Sequence, residues 1–407
     1  MSTNRRDFIK YMGVATSSLL AASAVPSIAI GSNEPTKGQS PIFDSVKIGS
    51  LTLKNRMIRS ATSDCRADAN GNPTADLIRV YNELAAGGAG MIISGVTYIL
   101  KEDQFAADGS GFYDDSQIEA YKEFTESVHK NGSKICIQLA IFGSKRNFNV
   151  ENTKIYAPVP LKDPAYGTVA KEGMTKEDIK YCVEAFTQAA VRSQKAGFDA
   201  IEFHFAHNYL ISKFLVPYYN TRTDEYGGSE VENRARFAFE IVEAVRKAVG
   251  KDFTLIAKIE GNDYLGREGN TQKEIDYIAQ GLADRGVDAL DISGGNNVTK
   301  YGPILKDILY KEDQSYFSRD ARNLAKNVNV PLILTGGNRD VGVMEAALEH
   351  NKNLVAFGMA RTLLCEPDLP LKWQKDTSYT PKCISCNWCI SNYLKQKTQC
   401  TFRKDQA

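Results

Sequence analysis

The chain has 407 residues, long for one domain but ordinary for a single large α/β barrel. Hydrophobic residues make up 43% and charged residues 24%, so core material is ample and neither a disordered nor a fibrous chain is indicated. The formal net charge of +1 gives no electrostatic case for nucleic acid or an anionic membrane surface as partner.

The amino terminus reads as an address rather than as part of the fold. Asn4-Arg5-Arg6-Asp7-Phe8-Ile9-Lys10 precedes an uncharged, weakly apolar stretch from Tyr11 to Ile30. Paired arginines ahead of such a stretch resemble a twin-arginine signal peptide, expected here over residues 1–31 with cleavage near Ala22-Ser23-Ala24. Gly13, Pro26 and the scattered serines make the stretch marginal as a membrane span. A periplasmic location follows, with the protein exported already folded around its cofactor.

From Ile42 onward short apolar runs alternate with longer amphipathic ones. The strand candidates are 57–60, 91–94, 134–139, 200–203, 254–259, 289–292, 332–335 and 354–357. Helical patterns lie between them at 77–86, 118–130, 177–196, 236–249, 274–285 and 341–350, several stopped by glycines such as Gly197 and Gly286. Strands that are continuously apolar rather than alternating indicate a parallel sheet covered on both faces. Eight such units predict a single (β/α)8 TIM barrel, class α/β, over residues 40–375, followed by a short cysteine-rich extension at 380–407. An open doubly wound sheet is the alternative, but no strand is followed by Gly-x-Gly-x-x-Gly.

A barrel of this kind gathers its chemistry at the carboxyl ends of the strands. Those positions hold Ser60-Ala61-Thr62, Gly95, Gln138, His204 and His207, Lys258, Gly294-Gly295, Gly336-Gly337 and Gly358 to Arg361. Any one of these glycines taken alone is a turn residue. Two glycine clusters after strands seven and eight, with Arg361 beside them, suit the phosphate of a cofactor. His204-x-x-His207-x-Tyr209 gives two donors and a phenol at one strand end, with no third ligand nearby to suggest zinc.

Several motifs in order carry a family resemblance: Leu53-Lys-Asn-Arg56, Gln138-Leu139, His204-x-x-His207-x-Tyr209-Leu210, Asn220 to Ser229 with Glu232-Asn-Arg234, and Glu366-Pro-Asp-Leu369. Over Ile42 to Leu371 the chain resembles the old yellow enzyme family of FMN-dependent ene-reductases. The resemblance implies FMN at the barrel mouth, against the backbone of Ala61 and Thr62, with Gln138 on its pyrimidine edge and Lys258 near N1. It puts the phosphate on Gly337, Asn338 and Arg361, and Ser60, Gly95, Gly295, Gly336, Gly358 and Ala360 complete the expected cofactor site. His204 and His207 would bind the substrate's activating oxygen and Tyr209 would donate the proton as an activated C=C is reduced. Three positions depart from the family pattern: Ile141 for histidine, Asn208 for glycine, and Ser63 for threonine or cysteine.

Cys65, Cys136, Cys182 and Cys365 are scattered and read as small buried hydrophobes. Cys383, Cys386 and Cys389 instead have the spacing of a [4Fe–4S] ligand run with Cys400 as the fourth ligand, a set similar to that of the 2,4-dienoyl-CoA reductase branch, which usually has one more residue between its second and third cysteines; zinc or disulfides are the alternatives. The sequence ends soon after them, so the extra domains of longer relatives are expected to be absent. An exported enzyme without access to NAD(P)H would draw electrons from a membrane-linked or cytochrome donor. The expected partners are that donor and a small unsaturated substrate, with a homo-oligomer as one arrangement. A dehydrogenase passing electrons out through the cluster is the second reading, and an electron carrier without a substrate of its own the third.

Overall fold

The computed structural model describes residues 40–144, 154–391 and 397–406; the expected signal peptide lies outside the described residues. Eight strands close into a parallel barrel: β1 (Met57–Arg59), β2 (Met91–Tyr98), β3 (Lys134–Ala140), β4 (Ala200–His204), β5 (Thr254–Glu260), β6 (Ala289–Ser293), β7 (Leu332–Thr335) and β8 (Leu354–Met359), with β8 pairing back to β1. All eight strand candidates are present, several longer at their carboxyl ends than the apolar run itself. β2 runs on to Tyr98 because a register shift between Ile93 and Val96 lets it stay paired with β3.

The outer layer contains α1 (Ala75–Ala86), α2 (Ile118–Lys130), α3 (Lys176–Lys195), α4 (Val231–Val249), α5 (Gln272–Asp284), α6 (Ser318–Leu324) and α7 (Val341–Glu349). Local sequence sets their starts. Thr175 and Thr271 cap α3 and α5 through reciprocal bonds with Asp178 and Glu274. Gly286, at φ 98°, turns the chain after α5 in a conformation that costs other residues energy. The seven-residue α6 was not expected, because it is too short to show a helical period. Two short antiparallel hairpins, Val46–Leu53 beneath the barrel and one pairing Leu161–Lys162 with Val169–Ala170, were also not expected.

Two layers of packing follow from the strand alternation. Residues such as Ile137, Phe203, Leu255 and Leu290 face outward into the core between barrel and helices. Ile58, Met91, Ile93, Ile256 and Ile333 fill the lower interior together with Val46 and Leu53 of the hairpin. The barrel is therefore plugged at its amino-terminal end and open only at the other.

Candidate active site

A cavity of about 420 Å³ sits at the carboxyl ends of the strands, within the usual size of a cofactor or small-ligand site. His204 ends β4, and the turn after it holds His207 and Asn208 in the left-handed region, at φ 60° and 62°. Asparagine tolerates that conformation better than most residues, which suits Asn208 to this turn. Its side chain also gains partners that glycine lacks. Asn208 donates to Tyr219 and Asn296 at 3.0 Å, and Asn296 donates back at 2.9 Å.

The turn brings the three expected catalytic groups together. Ring centroids of His204 and Tyr209 are 4.0 Å apart, and those of His204 and His207 are 5.2 Å apart. The His207 backbone N–H donates to Glu260 at 2.7 Å, and its Nε2 lies 2.8 Å from the Ser293 hydroxyl. All three side chains line the cavity. Two imidazoles and a phenol on one wall can hold an oxygen on which negative charge develops and deliver a proton beside it.

Across the cavity lie Ser60, Ala61, Thr62 and Ser63 after β1, with Gln138 and Lys258 on its floor. Gln138 donates to Glu202 at 2.6 Å, and Lys258 donates to Asp291. At the far end Gly336, Gly337 and Asn338 stand beside Gly358, Ala360 and Arg361, because β7 and β8 are paired there. Asn338 ties the two strand ends by donating to the carbonyls of Leu334 and Gly358. Two of the expected cofactor residues are not brought to the cavity. Gly95 lies in the irregular part of β2, where its N–H donates to the Tyr81 hydroxyl at 2.7 Å and an added Cβ would meet the Thr62 carbonyl. Gly295 packs against Tyr301 and Gly302. Ile141 is buried, packs in the core between barrel and helices, and does not line the cavity.

Sequence reasoning missed Glu202, Asp291, Ser293, Tyr316 and Arg339. The first two were visible as lone carboxylates inside otherwise apolar strands. Burial, followed by the opposing pull of Lys258 and the push of Asp291, raises Glu202 to about 8. Arg339 lines the cavity but spends its donors on the carbonyls of Ile308 and Pro381.

The cysteine-rich tail closes one side of this cavity. Arg361 donates to the Leu305 carbonyl at 2.7 Å and to Asn387 at 2.5 Å, which holds the tail against the glycine-lined end of the cavity. Cys383, Cys386, Cys389 and Cys400 all line a second, much smaller cavity, and Cys389 also lines the first. All eight cysteines are free thiols. Cys365 is buried, as expected, but belongs with the tail: it packs with Cys383 and Cys400. Its hydrogen bond lowers the Cys400 thiol to about 6. Among the described residues no group of three or more His, Cys, Asp or Glu side chains is arranged to hold a metal ion.

Residues 41–379 match the model of the NADH:flavin oxidoreductase / NADH oxidase family. The chain belongs to that family. It is 35% identical over 327 residues to an NADPH dehydrogenase of Clostridium acetobutylicum, covering 80% of this chain and 92% of that one. It is 32% identical over 362 residues to a metal reductase of Desulforamulus reducens, covering 88% of this chain but 52% of the relative, so it spans about half of that protein's length. The structure of an old yellow enzyme homologue from Zymomonas mobilis superposes with a TM-score of 0.71 at 27% identity, covering 84% of this chain and 95% of that one. The protein is thus an FMN-dependent oxidoreductase of the old yellow enzyme type. The cavity fits FMN: a glycine-lined end with Arg361 suits the phosphate, and polar groups on the floor suit the edge of a ring system.

Proposed function

We propose that this oxidoreductase reduces a small, electron-poor C=C, conjugated to a carbonyl, carboxyl or nitro oxygen, after export by the twin-arginine route to the periplasm. FMN, when bound, supplies the hydride equivalent. The chain's own residues do the rest. Gly336, Gly337, Asn338, Gly358, Ala360 and Arg361 hold the phosphate, and Ser60, Ala61, Thr62 and Gln138 fix the ring. Lys258 places positive charge beneath it. His204 and His207 grip the activating oxygen, where charge develops as the double bond accepts electrons, and lower the barrier as an oxyanion site does. Tyr209, whose ring lies tilted against that of His204, donates the proton to the second carbon.

We further propose that Cys383, Cys386, Cys389 and Cys400 hold a [4Fe–4S] cluster through which a membrane-linked or cytochrome donor delivers electrons. The observation that carries this reading is that Cys389 walls both cavities, so a cluster on the four thiols would adjoin the flavin. Four thiols converging on one small cavity beside the flavin site support this reading. Anaerobically purified protein should contain flavin and iron together, and turn over an activated alkene with reduced viologen far faster than with NADH. Comparable turnover with NADH would sink the donor assignment. Iron-free protein with all four cysteines intact would sink the cluster.

A further inference from the structure

Barrel interiors are usually filled with layers of branched aliphatic side chains. The lower layer here obeys that rule, but the one above it does not. At that height the inward positions of β3 to β6 are Gln138, Glu202, Lys258 and Asp291, each at most 3% exposed. Strand register sets Gln138 opposite Glu202 and Lys258 opposite Asp291. Lys258 donates to Asp291 and stands 3.7 Å from Glu202, whose Oε1 accepts from Gln138. Gln138 and Lys258 line the flavin cavity, and the two carboxyls lie behind them.

The charges in this layer do not balance if every group is ionised. Two carboxylates against one ammonium leave a net negative charge in a site closed to water, an arrangement that costs several kcal/mol. The hydrogen bonds tell the same story. Glu202 Oε2 and Asp291 Oδ1 find no donor among the described residues, yet the two carboxyls lie within hydrogen-bonding reach of each other. A proton held by one of them supplies the missing donor and brings the layer to neutrality.

We propose that the Glu202–Asp291 pair, seated on Lys258, is a proton store beneath the flavin: reduction of the flavin draws a proton onto Glu202, and the charge of the pair sets the flavin's potential. This rests on FMN occupying the cavity. FMN bound here would receive two electrons and one proton from the enzyme's external donor, a net gain of one negative charge beside the layer. A second proton, from solvent, then goes onto the Glu202 carboxylate, so flavin and layer together gain no net charge, while Lys258 keeps its proton throughout. The groups facing Glu202 are Gln138 and Cys136 of β3, Lys258 of β5, Asp291 of β6, and His204 one inward step above it on β4. Asp291 and the growing charge on the flavin both favour the protonated acid, whereas Lys258 opposes it. Linked uptake therefore begins only where the oxidised protein has already lost the Glu202 proton.

The test is a spectroelectrochemical titration of the intact FMN-loaded protein from about pH 6 to about pH 10, alongside Glu202→Gln. A tenfold change in proton activity converts to about 30 mV for a two-electron couple. The wild-type midpoint should therefore steepen by about 30 mV per pH unit above a bend near pH 8, and E202Q should show no bend. Infrared difference spectra of the wild type, reduced minus oxidised above the bend, should gain a protonated-carboxyl band, so the proposal stays testable even if E202Q folds poorly. A straight wild-type profile, a bend that persists in folded E202Q, or the absence of that band overturns it. The two readings fail in different ways. A chain that retains no flavin refutes the cofactor assignment, whereas bound flavin with an unbent profile refutes only the proton store.

Discussion

Lys213→Met isolates the device that holds the catalytic turn. Lys213 is fully buried, its Nζ 2.9 Å from Asp163, and the same ammonium donates to the Asn208 carbonyl in the left-handed turn. Methionine conserves the stem but leaves the Asp163 carboxylate buried without its ammonium partner, its Oδ1 still accepting from the backbone N–H groups of Ala165 and Tyr166. Breaking one side of a buried pair costs about 3–5 kcal/mol, because the surviving charge has no counter-ion. An unfolding entropy of about 2.1 cal/mol/K per residue over 407 residues turns this into a fall in Tm of roughly 4–6 °C. Differential scanning calorimetry reads the shift. Releasing the Asn208 carbonyl also frees His207, and a misplacement of about 1 Å lowers kcat roughly a hundredfold. Asp163→Asn in the same chain removes the stranded charge, so the double variant should recover stability but not kcat. A loss below about 1 kcal/mol in K213M, or a double variant no more stable than the single, would refute the account.

Three further outcomes follow from the site. Replacing His204 and His207 together by alanine should lower kcat by about 10²–10³-fold per lost donor and abolish the charge-transfer band of bound phenols, while flavin absorbance is retained; loss of flavin would make the pair structural. Arg361→Met should weaken FMN binding roughly 10- to 100-fold by equilibrium dialysis, the worth of one hydrogen bond to a charged group, and unchanged retention would take Arg361 out of the phosphate site. Glu202 keeps its proton in the folded chain from its ordinary 4.5 up to about 8, where the unfolded chain has lost it. Stability should therefore fall as pH rises through that window, and Glu202→Gln should flatten the urea-unfolding profile across it. An equally steep decline in the variant would mean that other groups carry it.

Much of this protein is written in local pattern. Continuous apolar runs, glycine stops and threonine caps are short-range features, and the alternation they produce places all eight strands and the long helices. The same regularity puts strand ends at the mouth, so His204, Tyr209, Lys258 and Arg361 could be named before any coordinates. Short elements such as α6 escape because a few residues hold less than two helical turns of pattern. Gly95 and Gly295 do not line the cavity, which the sequence does not reveal, because a strand-end glycine reads the same whether it faces a cavity or packs behind one. Only the closed barrel decides that Glu202 and Asp291 share an ammonium: they lie on separate strands, Asp291 in register with Lys258 and Glu202 two residues lower, beside Ile256. Likewise only the folded tail sets Cys365 among the other thiols and Cys389 between two cavities. Sequence fixes which chemistry each segment can present; distance and burial, set by contacts between segments far apart in the chain, decide which of those groups meet and what charge they hold.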